Sequence, residues 1–485
     1  MPTVPGGTEP SNPNHVSSSG PRNHSLADIA GATGKLRWNT KLLYGSGEIV
    51  NVITITVIGM YYLFFLTDYV GLSPTLAGGI FMVGRIWDAF IDPVMGIVTD
   101  RTRTKWGRRR PFLFLSAIPI GLLFFLMWSY PGAGSDVLNA IYFTAAYMLF
   151  MTTLTLYYVP YLSLVAELTE DYNERTSVNN YRIVVQLLMG LVAAVIPKMI
   201  ADSYTDAFQG YRTMGLAVGL FIILIPLLLF FRTKERQTPE VHSRSLRFGS
   251  EIRLALASRP FRRLLLLYVG CYAAANVIEG FVIYYMKYWL NREEEMSYLL
   301  VTVIVAGVLT LPLWTKVSQA IGKKKTIIYG LLLWAVSQLS WMVLSPDSPS
   351  YLVYVIGAVV GSGYGVAHVV PWSMLPDVLD ADELRTGLRR EGLYSGIMTF
   401  FMKTSNSLAI FLIGILLEAA GYVPNQIQSG PAQMTIRSTM TFAPELFIVA
   451  GLIAAFIYPL GKEDYTRNRE RLLEKSNPKG ANEST

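Results

Sequence analysis

The sequence predicts an all-α membrane protein of twelve transmembrane helices in two pseudo-symmetric six-helix halves. Three observations carry that expectation: an apolar, charge-poor composition, twelve stretches long enough to cross a bilayer, and basic residues confined to alternate loops. Hydrophobic residues make up 52% of the 485 and charged residues 15%, where a soluble domain carries roughly 25% charged. The 28 Tyr, 23 Phe and 9 Trp suit side chains that sit at headgroup level. The net charge of +7 would suit a nucleic-acid binder in a soluble chain. Here the excess Lys and Arg marks loops, and no nucleic-acid partner is expected. The single cysteine, Cys271, excludes an intrachain disulfide. The first 35 residues are rich in Pro, Gly, Ser and Asn and lack the apolar core of a cleavable signal. Residues 1–38 are therefore expected to form a disordered cytoplasmic tail.

A bilayer core takes roughly 20 mostly apolar residues per helix. That length fits 41–67, 73–99, 112–130, 138–167, 179–200, 211–232, 262–290, 297–320, 325–344, 351–376, 392–419 and 438–460. The loop after the second span, from Asp100 to Arg110, holds six basic residues. The loop after the eighth holds Lys323, Lys324 and Lys325, and the tail 461–485 carries six more. Asp68–Pro74, Pro131–Asp136, Ala201–Gly210 and Ser345–Ser350 hold none. By the positive-inside rule both termini are cytoplasmic. The polar, basic stretch between the sixth and seventh spans divides the chain into an N-terminal lobe (39–232), a cytoplasmic linker (233–261) and a C-terminal lobe (262–460). A faint repeat supports the division. Gly107 precedes three arginines and Gly322 precedes three lysines, at corresponding places in the two halves. Two equivalent helical halves are how facilitator-type secondary transporters are built.

An ionisable side chain at membrane depth costs at least ~2.5–3.5 kcal/mol, so each needs a reason. Asp88 and Asp92 in the second span are four residues apart and share one helix face. Two carboxylates so placed repel, and they call for positive charge. Arg85 can supply some, and a bound Na⁺ or a proton the rest, since hard cations take carboxylate and hydroxyl oxygens. The alternative is a permanent Arg–Asp network that only ties helices together. Lys403 lies about mid-span in the eleventh helix. Asn276 and Glu279 lie in the seventh, Arg182 in the fifth and Glu48 in the first. His368 is expected to be a packing histidine. Gly361-Ser-Gly-Tyr-Gly365 sits inside an apolar span, which fits close helix packing rather than a nucleotide loop.

Several strings together resemble the glycoside–pentoside–hexuronide:cation symporter family of the major facilitator superfamily. They include Tyr44-Gly-Ser-Gly, Thr67-Asp-Tyr-Val-Gly-Leu, Arg85-Ile-Trp-Asp-Ala-Phe-Ile-Asp-Pro, Trp106-Gly-Arg-Arg-Arg-Pro, Val159-Pro-Tyr, Thr386-Gly-Leu-Arg-Arg-Glu-Gly and Gly421-Tyr-Val-Pro-Asn. The resemblance implies the major facilitator fold and a coupling Na⁺ held by Asp88 and Asp92. Thr155 would add an oxygen and Lys403 would approach from the other half. Asp100, Arg101, Gly107, Arg108 and Arg109 would form the cytoplasmic gating motif. Where sugar carriers of the family place acidic and tryptophan side chains in the pocket, this chain has Val52, Tyr158 and Leu162, which argues against a galactoside. Val277-Ile-Glu-Gly280, Ile321-Gly-Lys-Lys and Pro371-Trp-Ser-Met-Leu-Pro-Asp377 are similar to the animal sodium-dependent lysophosphatidylcholine symporters. That similarity implies that Glu279 and Arg182 face a lipid headgroup.

The expectation is an Na⁺-coupled (or H⁺-coupled) symporter without organic cofactor or catalytic residues, monomeric, in a bacterial inner membrane. Its substrate is a sugar or a lysophospholipid-like amphiphile in a cavity bearing Glu279, Arg182, Tyr158, Asn276 and Glu48. The rivals are a membrane-embedded lipid-modifying enzyme and a channel. The first lacks a metal spacing or a nucleophile–base pair, and the second lacks a reason for an internal two-fold repeat.

Overall fold

A computed structural model describes residues 36–130, 132, 134–169, 172–233, 248–387 and 390–476. Most of the expected N-terminal tail (1–35), half of the expected linker (234–247) and the end of the C-terminal tail (477–485) lie outside the described residues.

The long helices, in chain order, are α1 (Trp38–Tyr62), α2 (Pro74–Arg101), α3 (Arg110–Met127), α4 (Asp136–Ser163), α5 (Tyr172–Asp202) and α6 (Ala207–Arg232). A short helix α7 (Phe248–Ala257) precedes α8 (Arg259–Trp289), α9 (Met296–Ile321), α10 (Lys323–Leu339), α11 (Ser350–Thr386), α12 (Glu391–Ala419) and α13 (Gly430–Phe456). A last helix, α14 (Lys462–Ser476), follows. Leaving aside α7 and α14, these are the twelve expected spans, and the described residues are all-α.

Ten of the helices are long and apolar enough to cross a membrane by length and composition. The other two are α2, interrupted by Arg85, Asp88 and Asp92, and α10, 17 residues long with three lysines at its start. Both depart from the plain pattern where they carry charge. Leu115, Ile118, Leu188, Leu224, Leu309, Leu313 and Val336 are exposed, an apolar outer belt that suits lipid.

Local chemistry sets the helix ends. Ser73 accepts a bond from Leu76 N (3.4 Å) with Pro74 at the first position of α2, and Ser429 does the same for Ala432 N (3.3 Å) in α13. That cap starts α13 well before the expected span at 438. The expected linker 233–261 contains α7 and the first turn of α8, and the expected tail contains α14. An apolar-span search cannot find such short polar helices.

The sequence repeat recurs in the packing. The pairs α1·α5, α2·α4, α3·α4 and α3·α6 return as α8·α12, α9·α11, α10·α11 and α10·α13. The two sets meet through α2·α12, α5·α9 and α1·α8. Gly107 (φ 104°) and Gly322 (φ 88°), which precede the basic triplets, both take the positive φ that glycine tolerates. The glycine-rich run in α11 packs closely, as expected. A Cβ on Gly361 would lie 2.1 Å from the carbonyl oxygen of Val303 in α9.

The chain just beyond α1 and the end of α8 are also copies of each other. Each forms a π-turn, Phe65–Tyr69 and Tyr285–Trp289. In each, the first residue's carbonyl accepts from the residue five on (3.0 Å in both), and the second's from the residue six on (Leu72 N to Leu66 O, 3.0 Å; Arg292 N to Met286 O, 2.8 Å). Left-handed residues at equivalent places, Gly71 (φ 81°) and Asn291 (φ 56°), let the chain turn away.

Candidate cation site and central cavity

The second-span acids and the eleventh-span lysine meet. Asp88 and Asp92, one turn apart on α2, share the Lys403 ammonium of α12, which lies 2.8 Å from Asp88 Oδ2 and 2.6 Å from Asp92 Oδ2. Thr155, buried on α4, places its Oγ1 3.0 Å from both Asp88 Oδ1 and Asp92 Oδ1. A hydroxyl has one proton and can donate to only one of two carboxylates at a time. The three oxygens therefore form a cradle with one donor too few, which fits a hard cation such as Na⁺. Asp88 is buried, whereas the Asp92 and Lys403 side chains keep 34% and 23% exposure, so the cradle opens on the Asp92 side. Arg85 does not bridge the two acids. It is buried with its Nε unpartnered.

The expected substrate-cavity residues fall into separate groups. On the first half, Glu48 Oε1 accepts from Asn51 Nδ2 (3.0 Å) and Tyr158 OH (3.2 Å), and Arg182 Nε stands 3.8 Å from Glu48 Oε2. On the second half, Tyr364 OH of α11 donates to Glu279 Oε1 (2.9 Å), and Asn406 Nδ2 donates to Asn276 Oδ1 (2.9 Å). Arg182 and Glu279 thus have separate partners, Glu48 and Tyr364. Arg182 is drawn to Glu48, the acid that α1 presents to it. Asn276 Nδ2 and Asn406 Oδ1 are left unpartnered. His368 packs as expected, its ring 4.1 Å from Tyr364 and 4.5 Å from Tyr272.

The cytoplasmic-motif residues act as staples. Arg109 donates to Ser163 O at the end of α4, and Arg110 to Phe230 O near the end of α6 (2.6 Å). Lys323 in the second half bonds Asp377 (2.7 Å), and Lys324 bonds Tyr458 O (2.6 Å). Cations at helix C-termini are favourable partners for the last carbonyls. Arg101 is exposed, and Asp100 lies outside the residues whose side chains are described.

At the opposite end of the bundle stands a cluster that sequence reasoning missed. Asp68, buried on the first π-turn, accepts from Tyr422 OH (2.6 Å), Thr67 Oγ1 (2.7 Å) and Tyr288 OH, with Lys287 Nζ 3.6 Å away. Asn425 Nδ2 donates to the Asp68 carbonyl, and Lys287 donates to Asn425 Oδ1 (2.8 Å). Lys198 of α5 reaches Glu293 (3.2 Å), and Glu418 accepts from Thr75 N (3.0 Å). The two halves are latched together at this end. The usable signal was the matching spacing of Phe65–Leu72 and Tyr285–Arg292, which sets Asp68 against Lys287 and Tyr288.

The model of the family described as MFS/sugar transport protein matches residues 43–462. An uncharacterized symporter of Bacillus subtilis (strain 168), YnaJ, is 32% identical, covering 91% of this chain and 95% of its own. The sodium-dependent lysophosphatidylcholine symporter 1-A of Danio rerio is 27% identical over 89% of this chain and 88% of its own. Among solved structures, a D-xylose-proton symporter superposes with a TM-score of 0.65 at 15% identity, covering 87% of this chain and 97% of that one.

Proposed function

The chain belongs to the MFS/sugar transport protein family, and from that premise we propose that it couples solute movement to Na⁺ bound among Asp88, Asp92 and Thr155. It is a secondary active symporter and a multi-pass membrane protein, not an enzyme. The observation that carries the cation assignment is the cradle of three oxygens within 3.0 Å, closed by an ammonium from the other half. Na⁺ and the Lys403 ammonium are both monovalent, so exchanging one for the other keeps the charge against the two carboxylates unchanged. When Na⁺ takes the oxygens, Lys403 is released and α12 loses its ionic tie to α2. A ligand shifts a conformational balance only by its differential affinity for the two states, and this exchange supplies the difference. The lobes 39–232 and 262–460 rock about the site, with both termini and the basic loops on the cytoplasmic side of a bacterial inner membrane.

The substrate is a sugar or a lysophospholipid, the classes that the family and the Danio rerio relative suggest. Glu48, Tyr158, Arg182, Asn276 and Glu279 would present it with both donors and acceptors. Thermal unfolding of the purified protein in NaCl and in choline chloride tests the cation site. Na⁺ should stabilise the native protein, and Asp88→Asn or Asp92→Asn should abolish that stabilisation in folded protein. Undiminished Na⁺ stabilisation in both variants would sink the assignment. Sugars and lysolipids added in the same assay separate the substrate classes.

A further inference from the structure

Most carboxylates named in the helices have a cation within reach: Glu48 has Arg182 at 3.8 Å, Asp68 has Lys287 at 3.6 Å, Asp88 and Asp92 have Lys403 at 2.8 and 2.6 Å, and Asp377 has Lys323 at 2.7 Å. Glu279, mid-helix in α8, has no ion-pair partner among the described residues. Its one hydrogen bond is the Tyr364 hydroxyl at 2.9 Å. An ionised carboxylate has room for about four donors. At membrane depth a single neutral donor does not offset the loss of water.

The groups that face it include no Lys or Arg free to pair with it. On α8 itself there are Tyr272 and Asn276. On α11 there are Tyr364 and His368, whose Nδ1 lies 3.3 Å from the carbonyl oxygen of Tyr364. A carbonyl can only accept, so that nitrogen is the donor and its proton is spent on Tyr364. From α1, Gly59 approaches, a Cβ there lying 4.0 Å from Glu279 Oε2. The nearest lysine on α12, Lys403, is bound to Asp88 and Asp92. On α13, Arg437 bonds Met342 O (3.0 Å) and Glu445 is another acid. One carboxylate and one phenol offer a metal cation fewer oxygens and less negative charge than the two carboxylates and hydroxyl of the Asp88–Asp92–Thr155 site.

We propose that Glu279 is a proton-binding site, separate from the Asp88–Asp92–Lys403 site, and that it holds a proton in this conformation, half-buried beside Tyr364 between α8 and α11. The proton comes from water when the cavity reaches Glu279 and returns to water when it next does so, with no other bond formed or broken. The chain then binds two different cations in two places, Na⁺ between the halves and H⁺ within the second half. This stands independently of the Na⁺ assignment.

Infrared difference spectroscopy on the purified full-length protein tests it, because a protonated carboxyl has a carbonyl stretch that a carboxylate lacks. The wild-type-minus-Glu279→Gln spectrum at neutral pH should show one carboxyl band per chain, shifted by deuterium exchange. Asp88→Asn should leave the band in place, and Glu279→Asp should restore a carboxyl band if Glu279→Gln folds poorly. Na⁺ stabilisation should persist in Glu279→Gln. A difference spectrum without a carboxyl band overturns the proposal, and so does a wild-type band that NaCl removes, since the site would then take Na⁺.

Discussion

Thr155 stands 3.0 Å from both second-span acids, and Thr155→Val tests it with little change of shape. Losing one oxygen ligand to a charged group is worth about 1.5–3 kcal/mol, so Na⁺ affinity should fall by about tenfold or more. Stability without Na⁺ should fall as well, since the hydroxyl then donates to a carboxylate, and the Na⁺-dependent part of the unfolding temperature in a Na⁺ titration reads the affinity. Lys403→Ala should act on Na⁺ affinity in the opposite sense. It strands two carboxylates, and breaking a buried pair costs about 3–5 kcal/mol, so the Na⁺-free protein should unfold at a lower temperature. With the competing ammonium gone, a given Na⁺ concentration should stabilise more. Lys403→Arg should rescue only in part, because a planar fork replaces a point charge. Equal Na⁺ responses in native protein and Lys403→Ala would show the lysine to be a bystander. Asp88, Asp92 and Lys403 were legible in the sequence because a charge stands out in an apolar span. Thr155 was reached only through the family resemblance, since threonines are common in membrane helices. The partners of Glu279 and Arg182 were not legible, because which helices bring Tyr364 and Glu48 beside them is decided by tertiary packing.

Helix-to-helix approach depends on what glycine leaves out. Gly361→Ala would drive a methyl to 2.1 Å from the Val303 carbonyl oxygen, which belongs to backbone and cannot rotate away. Forcing α9 from α11 should cost about 1–3 kcal/mol, visible as a lower unfolding temperature in detergent. Gly396→Ala in α12 meets nothing within 4 Å and should be neutral or slightly stabilising, since alanine is the better helix former. The two variants together separate packing from propensity. The sequence disclosed the helices well wherever hydrophobic length defined them, including α2, whose charges interrupt its apolar run. It disclosed α7 and α14 poorly, because α7 is too short and α14 too polar to be recognised as a span. It placed the start of α13 late, because that end is fixed by the Ser429 cap and not by where apolar residues begin.

Across the whole molecule, the acid on the first π-turn holds the halves together at the end away from the basic loops. Asp68→Asn removes the charge that faces Lys287 and turns one acceptor oxygen into a donor aimed at hydroxyls. The latch should loosen by about 1 kcal/mol, a shift of about fivefold toward the state open at that end. In a Cys271→Ala background, cross-linking between Thr75→Cys and Glu418→Cys, which bridge α2 and α12, should fall accordingly. Unchanged cross-linking would mean that the α2–α12 contact closes that end unaided. The two π-turns have a further consequence for ancestry and assembly. They share one backbone, yet Asp68 is matched in position by Tyr288, and Thr67 by Lys287. The turns supply complementary groups: one the Asp68 acid, the other the Tyr288 phenol and the Lys287 ammonium that meet it. Two identical copies would set acid against acid, or lysine against phenol with nothing to bind. The halves have ceased to be interchangeable. Made as two separate polypeptides, each would recognise the other and not a second copy of itself.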